Sequence, residues 1–344
     1  MPALPDPAAW AGRRVLVTGH TGFKGAWLTL WLDAMGAEVH GLATPPPTTP
    51  SLYGLAHLSD VLASEHVVDI RDERAVGAVT AGVAPEVVLH LAAQAIVRTA
   101  LADPATTFAV NVTGTANLLQ HLPSTTGAIV VVTSDKCYRD VESGRAMTED
   151  DALGGDDPYS ASKAAQELVC AALRRARDLP LATARVGNVI GGGDFAADRL
   201  VPDLVRAAQT GTPLVLRNPD AVRPWQHVLN PLAGYLVLAE QLLDGRPVRE
   251  AFNFGPDPQD ARPVRHLAER WPPPKPLIEV HPDPDAGKEA TVLHLDSTKA
   301  RRRLGWTPTW ELDRGLDATA AWYASPDGDP RQRTLDQIAA FTAP

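Results

Sequence analysis

At 344 residues the chain exceeds the roughly 250–300 at which a single hydrophobic core stops growing, so one large core with a smaller lobe is expected. Its formal charge of -9 excludes a general affinity for nucleic acid, and no stretch approaches the ~20 unbroken apolar residues of a membrane helix. The two cysteines, Cys137 and Cys170, fit neither a paired metal half-site nor a CxxC redox motif, and the start MPALPDPAAW lacks a secretory signal, so a reducing cytoplasm and no bound metal are expected.

From Arg13 to about Val186, short β-branched runs alternate with amphipathic stretches, the pattern of a parallel sheet covered by helices. Strands are predicted at 13–18, 37–42, 65–69, 87–93, 127–133 and 180–186, several of them apolar on both faces as buried parallel strands are. Between the first two, Trp27, Leu30, Trp31 and Ala34 recur at helical spacing, and Gly36 is a helix stop. After Val186 glycine and proline punctuate the chain at 191–193, 211–213, 218–224 and 272–276, the texture of a substrate-binding lobe. The fold class read from this is α/β, a doubly wound Rossmann sheet with a smaller mixed α/β lobe. Residues 1–186 form the cofactor domain and 187–344 the substrate lobe, some segments of which return to the first domain.

TGHTGFKG puts Gly19, Gly22 and Gly25 between the first strand and the first helix, where small residues let backbone approach a pyrophosphate at a helix N-terminus. The spacing is GxxGxxG, not the simpler GxGxxG. Asp69 and Ile70 end the third strand, where a carboxylate can accept from an adenine amino group; a solvated strand end explains Asp69 equally well. Leu91, Ala92 and Ala93 end the fourth strand with room for a cofactor. The second strand ends in Ala43 and Thr44, without the acid that usually binds an NAD ribose, so the fingerprint alone does not separate NAD from NADP.

Tyr159 and Lys163 form YxxxK on a proline-primed helix, and i,i+4 positions share a face, so the ammonium is expected near the phenol, favouring phenolate. Ser134, at the end of the fifth strand, completes the set. A fixed guanidinium fork suits phosphate better than a mobile ammonium, and Arg199, Arg217 and Arg223 can supply such forks, with Asn188 a neutral donor; for any single arginine, solvation or an ordinary ion pair is as good a reading.

Together these features resemble the extended short-chain dehydrogenase/reductases that act on sugar nucleotides, over nearly the whole chain. Three stretches are similar to the CDP-glucose 4,6-dehydratase family in particular: TSDKCY at 133–138, TGHTGFKGAWLTLWL, and GNVIGGGDFAADRLVPDLVRA with RNPDAVRPWQHVLNPLAGYL. The resemblance implies NAD held by Gly19, Thr21, Gly22, Phe23, Gly25, Asp69, Ile70, Leu91, Ala92, Ala93, Asn111, Tyr159 and Lys163. It implies a nucleotide sugar, CDP-glucose, held by Asn188, Arg199, Leu200, Arg217, Arg223 and Glu289. Catalysis would fall to Ser134, Asp135, Lys136, Tyr159 and Lys163: Tyr159 as base at the sugar 4-hydroxyl, Asp135 as acid for the departing 6-hydroxyl, and Lys136 at C5 as base or as cationic stabiliser. Asp135 then needs a raised pKa. Ala95, Ala100 and Leu101 stand where the family tends to have proline, serine and tyrosine, and Lys288 where it has histidine.

A 4-epimerase needs the same fold and Tyr/Lys pair but no acid at C6, and Asp135 argues against it; an intact Ser134, Tyr159 and Lys163 argues against a cofactor-sensing binding protein. The resemblance also implies a homodimer, built from the helix after Pro104, with Phe108, Val112, Ala116 and Leu119 as its apolar stripe, and from the Tyr159 helix.

Overall fold

The computed structural model describes residues 2–139, 144–281, 293–325 and 328–343. Seven strands form one parallel sheet: β1 (Arg14–Thr18), β2 (Glu38–Ala43), β3 (Ser64–Val67), β4 (Val87–His90), β5 (Ala128–Val132), β6 (Leu181–Val186) and β7 (Ala251–Phe254). Their order is β7-β6-β5-β4-β1-β2-β3. The chain grows outward from β1 to β3, crosses back, and grows outward again from β4, so a crevice opens between the carboxyl ends of β1 and β4, where a doubly wound sheet binds its ligand.

The double-sided apolar pattern has a direct structural reading. Val15 and Val17 of β1, Val87 and Leu89 of β4 and Val130 of β5 enter one core. Leu16, Val88, Ile129 and Val131, one residue out of phase, enter the other. The second core is closed by α2 (Glu73–Val83), the segment Thr115–His121 and α3 (Pro158–Ala176). The first is closed by α1 (Phe23–Ala34), α4 (Leu229–Leu243) and the C-terminal helices.

Three elements differ from the sequence reading. First, α1 is buried all round from Gly25 to Leu32, because the C-terminal helix Pro330–Thr342 covers what would be its outer face; Trp31 meets Phe341 edge-on at 5.7 Å. Second, the sheet has a seventh strand, β7, whose AFNF falls in the punctuated region and pairs in parallel with β6. Third, the helix after Pro104 widens into a π-turn over Ala109–Gly114, so the 3.6-residue stripe breaks: Phe108 is exposed whereas Leu119 is fully buried in the second core. π-Turns of this kind concentrate at functional sites.

The smaller lobe has its own core around Leu204, Trp225, Leu267, Trp271 and Leu316. Short two-stranded pairings hold it, Leu214–Leu216 with Ile278–Val280 and Val222–Pro224 with Ala261–Pro263. No described helix is long and apolar enough to cross a membrane.

Phe341, 1% exposed, wedges between Trp31 and Trp310, so Phe341→Ala leaves a cavity under α1 and should destabilise the protein by about 3–5 kcal/mol. A urea titration checks it; a loss below about 1 kcal/mol would mean that the C-terminal helix is no part of the main core.

Candidate active site

β1 ends at Thr18, whose hydroxyl accepts from Ala92 N–H at 3.2 Å, binding the ends of β1 and β4 together. Gly19 follows with φ +76°, and a Cβ there would lie 2.7 Å from Ala92 N. At Gly25 a Cβ would lie 2.1 Å from the Gly19 carbonyl oxygen. Gly22, by contrast, meets protein only at 3.4 Å: it is the N-cap of α1, with its backbone open to the crevice. A loop whose inner glycines are demanded by backbone contact and whose outer glycine faces open space fits a bound pyrophosphate. Leu91, Ala92 and Ala93 are half-buried along its other wall.

The remaining cofactor expectations divide. The Thr21 hydroxyl donates to the Thr44 carbonyl at 3.0 Å and closes the loop onto β2. Phe23 packs on Gly191, where a Cβ would lie 3.0 Å from the ring, and so joins the loop to the smaller lobe. Asp69 is held by Arg71, its carboxylate drawn below the usual range chiefly by that hydrogen-bonded guanidinium. Ile70 turns inward, against Gly114. Asn111 spends its side-chain amide on protein: Oδ1 accepts from Gln94 N–H at 2.9 Å, and Nδ2 donates to Gln94 O and Ser162 Oγ. It braces the loop after β4 against α3.

Beyond the crevice a cleft of about 1120 Å³ is lined by Ser134, Asp135, Lys136, Tyr159, Asn188, Arg199, Leu200, Arg217 and Arg223. The sequence pattern names all of these, and the fold brings them together. Tyr159 arrives there because Asp157 caps α3, accepting from Tyr159 N–H at 2.8 Å and Ser160 N–H at 3.0 Å, with Pro158 at the first helical position. Its phenol bonds to Ser134 and is pushed up to about 12, mainly by burial.

Lys163 lies one turn on, but its ammonium is not spent on the phenol: it donates to Gln166 Oε1 at 2.8 Å and to Val132 O at 3.3 Å. A side-chain acceptor three residues ahead on the same helix face captures it. Burial draws it down to about 8.

Asp135 is the most unusual group. It is 5% exposed, Ser134 Oγ donates to its Oδ1 at 3.1 Å, and Oδ2 has no partner. Room for Oδ2 exists only because residue 187 is glycine, since a Cβ there would lie 2.8 Å away. Burial raises its pKa, against the opposing pull of Lys136 and Arg223. A carboxyl so placed holds its proton to higher pH than one in water, which general-acid chemistry requires.

The arginines are presented by acidic neighbours. Arg199 pairs with Asp194 at 3.2 Å, and Arg217 with Asp198 at 3.1 Å. Arg223 is buried, donating to Val222 O. Sequence reasoning missed Arg98, which also reaches Asp198 at 3.5 Å, and Lys24, a cleft-lining lysine that burial, then Arg199 and Lys163, draw down to about 7. The signal for Lys24 was present: a cation in the first turn of a helix opposes the helix dipole. Ala95 and Leu101, two of the departures from the family pattern, line the cleft, whereas Ala100 is buried. Glu289 and Lys288 lie outside the described residues. No metal-binding cluster occurs among the described residues.

The model of the NAD dependent epimerase/dehydratase family matches residues 15–255. CDP-glucose 4,6-dehydratase of Salmonella typhimurium is 42% identical over 92% of each chain. Among solved structures, dTDP-glucose 4,6-dehydratase of Streptomyces venezuelae with NAD bound superposes with a TM-score of 0.77 at 25% identity, covering 91% of this chain and 97% of that one. A Thermus thermophilus UDP-glucose 4-epimerase complex with NAD shares the fold, with a TM-score of 0.78 at 24% identity over 91% and 99%.

Gly25→Ala forces the Gly19 carbonyl out of place and should weaken NAD binding at least about tenfold, read by calorimetry. Unchanged affinity would show that the loop does not cradle the cofactor.

Proposed function

Because the chain belongs to the NAD dependent epimerase/dehydratase family, we propose that it converts CDP-D-glucose to CDP-4-dehydro-6-deoxy-D-glucose and water. The observation that carries this reading is Asp135, a buried carboxyl with an unpartnered oxygen beside Ser134 and Tyr159. An epimerase has no use for a stored proton there, whereas loss of a 6-hydroxyl as water requires one. The name of the 42% identical relative supports the cytidine nucleotide and the glucose.

NAD, when bound, supplies reversible hydride transfer, taking hydride from C4 and returning it to C6, so the cofactor is not consumed. The chain's own residues handle the protons. Tyr159 removes the 4-hydroxyl proton, with Ser134 bonded to its oxygen. The 4-ketone so formed acidifies the C5 proton; Lys136, at the cleft wall, takes that proton or stabilises the charge left behind, and C5 regains a proton as the hydride reaches C6. Asp135 gives its proton to the departing 6-hydroxyl. Lys163 has three N–H groups, two of them given to Gln166 and Val132, which leaves one for the ribose of the cofactor. Arg199, Arg217 and Arg223, with Asn188 and Leu200, take the nucleotide diphosphate.

We propose a homodimer through the helices that carry Phe108 and Leu168, large apolar side chains exposed on two helices that pack together. Light scattering at micromolar concentration should give twice the chain mass; a monomer rejects this interface. The reaction is assigned to the reducing cytoplasm, which suits the two free, buried cysteines.

Incubation with CDP-glucose and catalytic NAD tests the activity. The expected product is a 4-keto sugar that absorbs in alkali, formed over many turnovers; CDP-galactose would indicate an epimerase, and no product a sensor. Asp135→Asn keeps the size of the side chain but cannot donate usefully, so product formation should slow by about 10²- to 10⁴-fold. Native turnover in that variant would remove Asp135 as the acid.

A further inference from the structure

Behind the Tyr159–Lys163 pair runs a chain of hydrogen bonds with no exposure to solvent. Lys163 Nζ donates to Gln166 Oε1 at 2.8 Å, and Gln166 Nε2 donates to Thr115 Oγ1 at 2.8 Å. His90 Nε2 lies 3.0 Å from the same hydroxyl, and His90 Nδ1 lies 2.6 Å from Thr18 Oγ1. Gln166, Thr115, His90 and Thr18 are each fully buried.

Donor and acceptor chemistry allows one proton arrangement for this chain. An ammonium only donates, so Gln166 must turn its oxygen to Lys163 and its NH₂ to Thr115. Thr115 has a single proton, which goes to the Asn111 carbonyl at 2.7 Å, where the π-turn ends. Its oxygen therefore accepts from both Gln166 and His90. His90 is then protonated at Nε2, and Nδ1 accepts from Thr18, whose oxygen in turn accepts from Ala92 N–H. Burial draws His90 down to about 3, so the ring is neutral, as this arrangement requires.

We infer that Gln166 is a positioning residue for Lys163: its oxygen fixes the ammonium at the end of β5 and keeps it charged, and the Thr115–His90–Thr18 chain holds the amide in the only orientation that does so. The inference rests on reading Tyr159 and Lys163 as the working pair. The groups around Lys163 are Tyr159, Glu167 and Cys170 on its own helix, Cys137 beyond β5, His90 on β4 and Lys24 on α1. Among the described side chains only Gln166 accepts a hydrogen bond from Nζ, against a burial penalty that already draws the group down to about 8. Its oxygen favours the charged form.

The chain contains only six lysines, so ¹³Cε-lysine labelling gives a legible NMR titration, with the Lys163 signal assigned by its loss in Lys163→Arg. Gln166→Met should lower the Lys163 midpoint by about one pH unit, a tenfold change in its acid constant. Gln166→Glu, which places a carboxylate against the ammonium, should raise it. The alkaline limb of kcat/KM should move in the same two directions, because reading Tyr159 and Lys163 as the working pair requires the charged lysine. Midpoints unmoved in Gln166→Glu overturn the inference, even if Gln166→Met does not fold; loss of activity without movement of either limb would leave Gln166 only a structural part, and overturns it too. The titration uses no substrate, so failure to turn over CDP-glucose rejects the substrate assignment and leaves this result standing.

Discussion

Desolvation governs the end of β5. A carboxyl in water ionises near pH 4, and nothing in the sequence TSDKCY changes that. What changes it is that Asp135 is buried in the turn after β5, against Gly187, with one oxygen bonded to Ser134 and the other to nothing. An unpaired buried carboxylate is costly, and the cost falls when the group holds a proton. The same enclosure raises Tyr159 and lowers Lys163 and Lys24, so each of these four groups, Asp135 included, is moved toward its neutral form. Proton exchange among such groups costs less than among groups firmly charged in water.

A dry site needs a rigid floor, and the floor is an ion pair. Glu167, one turn beyond Lys163, accepts from Thr133 at 2.5 Å, Thr183 at 2.8 Å and Arg185 at 2.9 Å. Arg185 donates on to the Tyr138 hydroxyl at 2.8 Å, which donates to Asn253 Oδ1 at 2.7 Å. This ties the ends of β5, β6 and β7 to α3 immediately beneath Ser134 and Asp135. Buried pairs seldom add net stability, because desolvating two charges offsets their attraction. Here the pair holds one geometry: Thr133 is bonded from below, so the turn that follows it presents Ser134 and Asp135 upward.

The glycine loop after β1 and most of the main sheet were legible in the sequence because their constraints are local. The glycines that TGHTGFKG requires are required by atoms a few residues or one strand away, and six of the seven strands of the main sheet announce themselves by apolar runs. The misses are all non-local. The all-round burial of α1 depends on a helix three hundred residues later, and β7 joins the sheet only after the smaller lobe has been built. Lys163 was expected against the phenol from its i,i+4 spacing, but the acceptor that captures it, Gln166, is itself oriented by Thr115 and His90 from other parts of the chain. The arginines of the cleft were recognisable by type and order; that Asp194 and Asp198 would hold them was not.

α3 shows why a binary hydrophobic pattern misleads at such a site. Tyr159, Ser162, Lys163, Gln166, Glu167 and Cys170 recur at the spacing of one helix face, and all six are buried, whereas Leu168 on another face is 61% exposed. A polar stripe turned inward is unfavourable unless every member is bonded, and here the stripe is bonded nearly throughout: Ser162 to Asn111 and the Tyr159 carbonyl, Lys163 to Gln166 and Val132, Gln166 to Thr115, Glu167 to Arg185 and two threonines. The polar part of this inner face is therefore held by its hydrogen-bond partners, alongside the apolar contacts of Cys170 and Leu173 with the second core. An exposed leucine opposite a buried polar stripe is a sign, readable from spacing once the YxxxK pair is recognised, that the inner face belongs to the chemistry and the outer one to another surface.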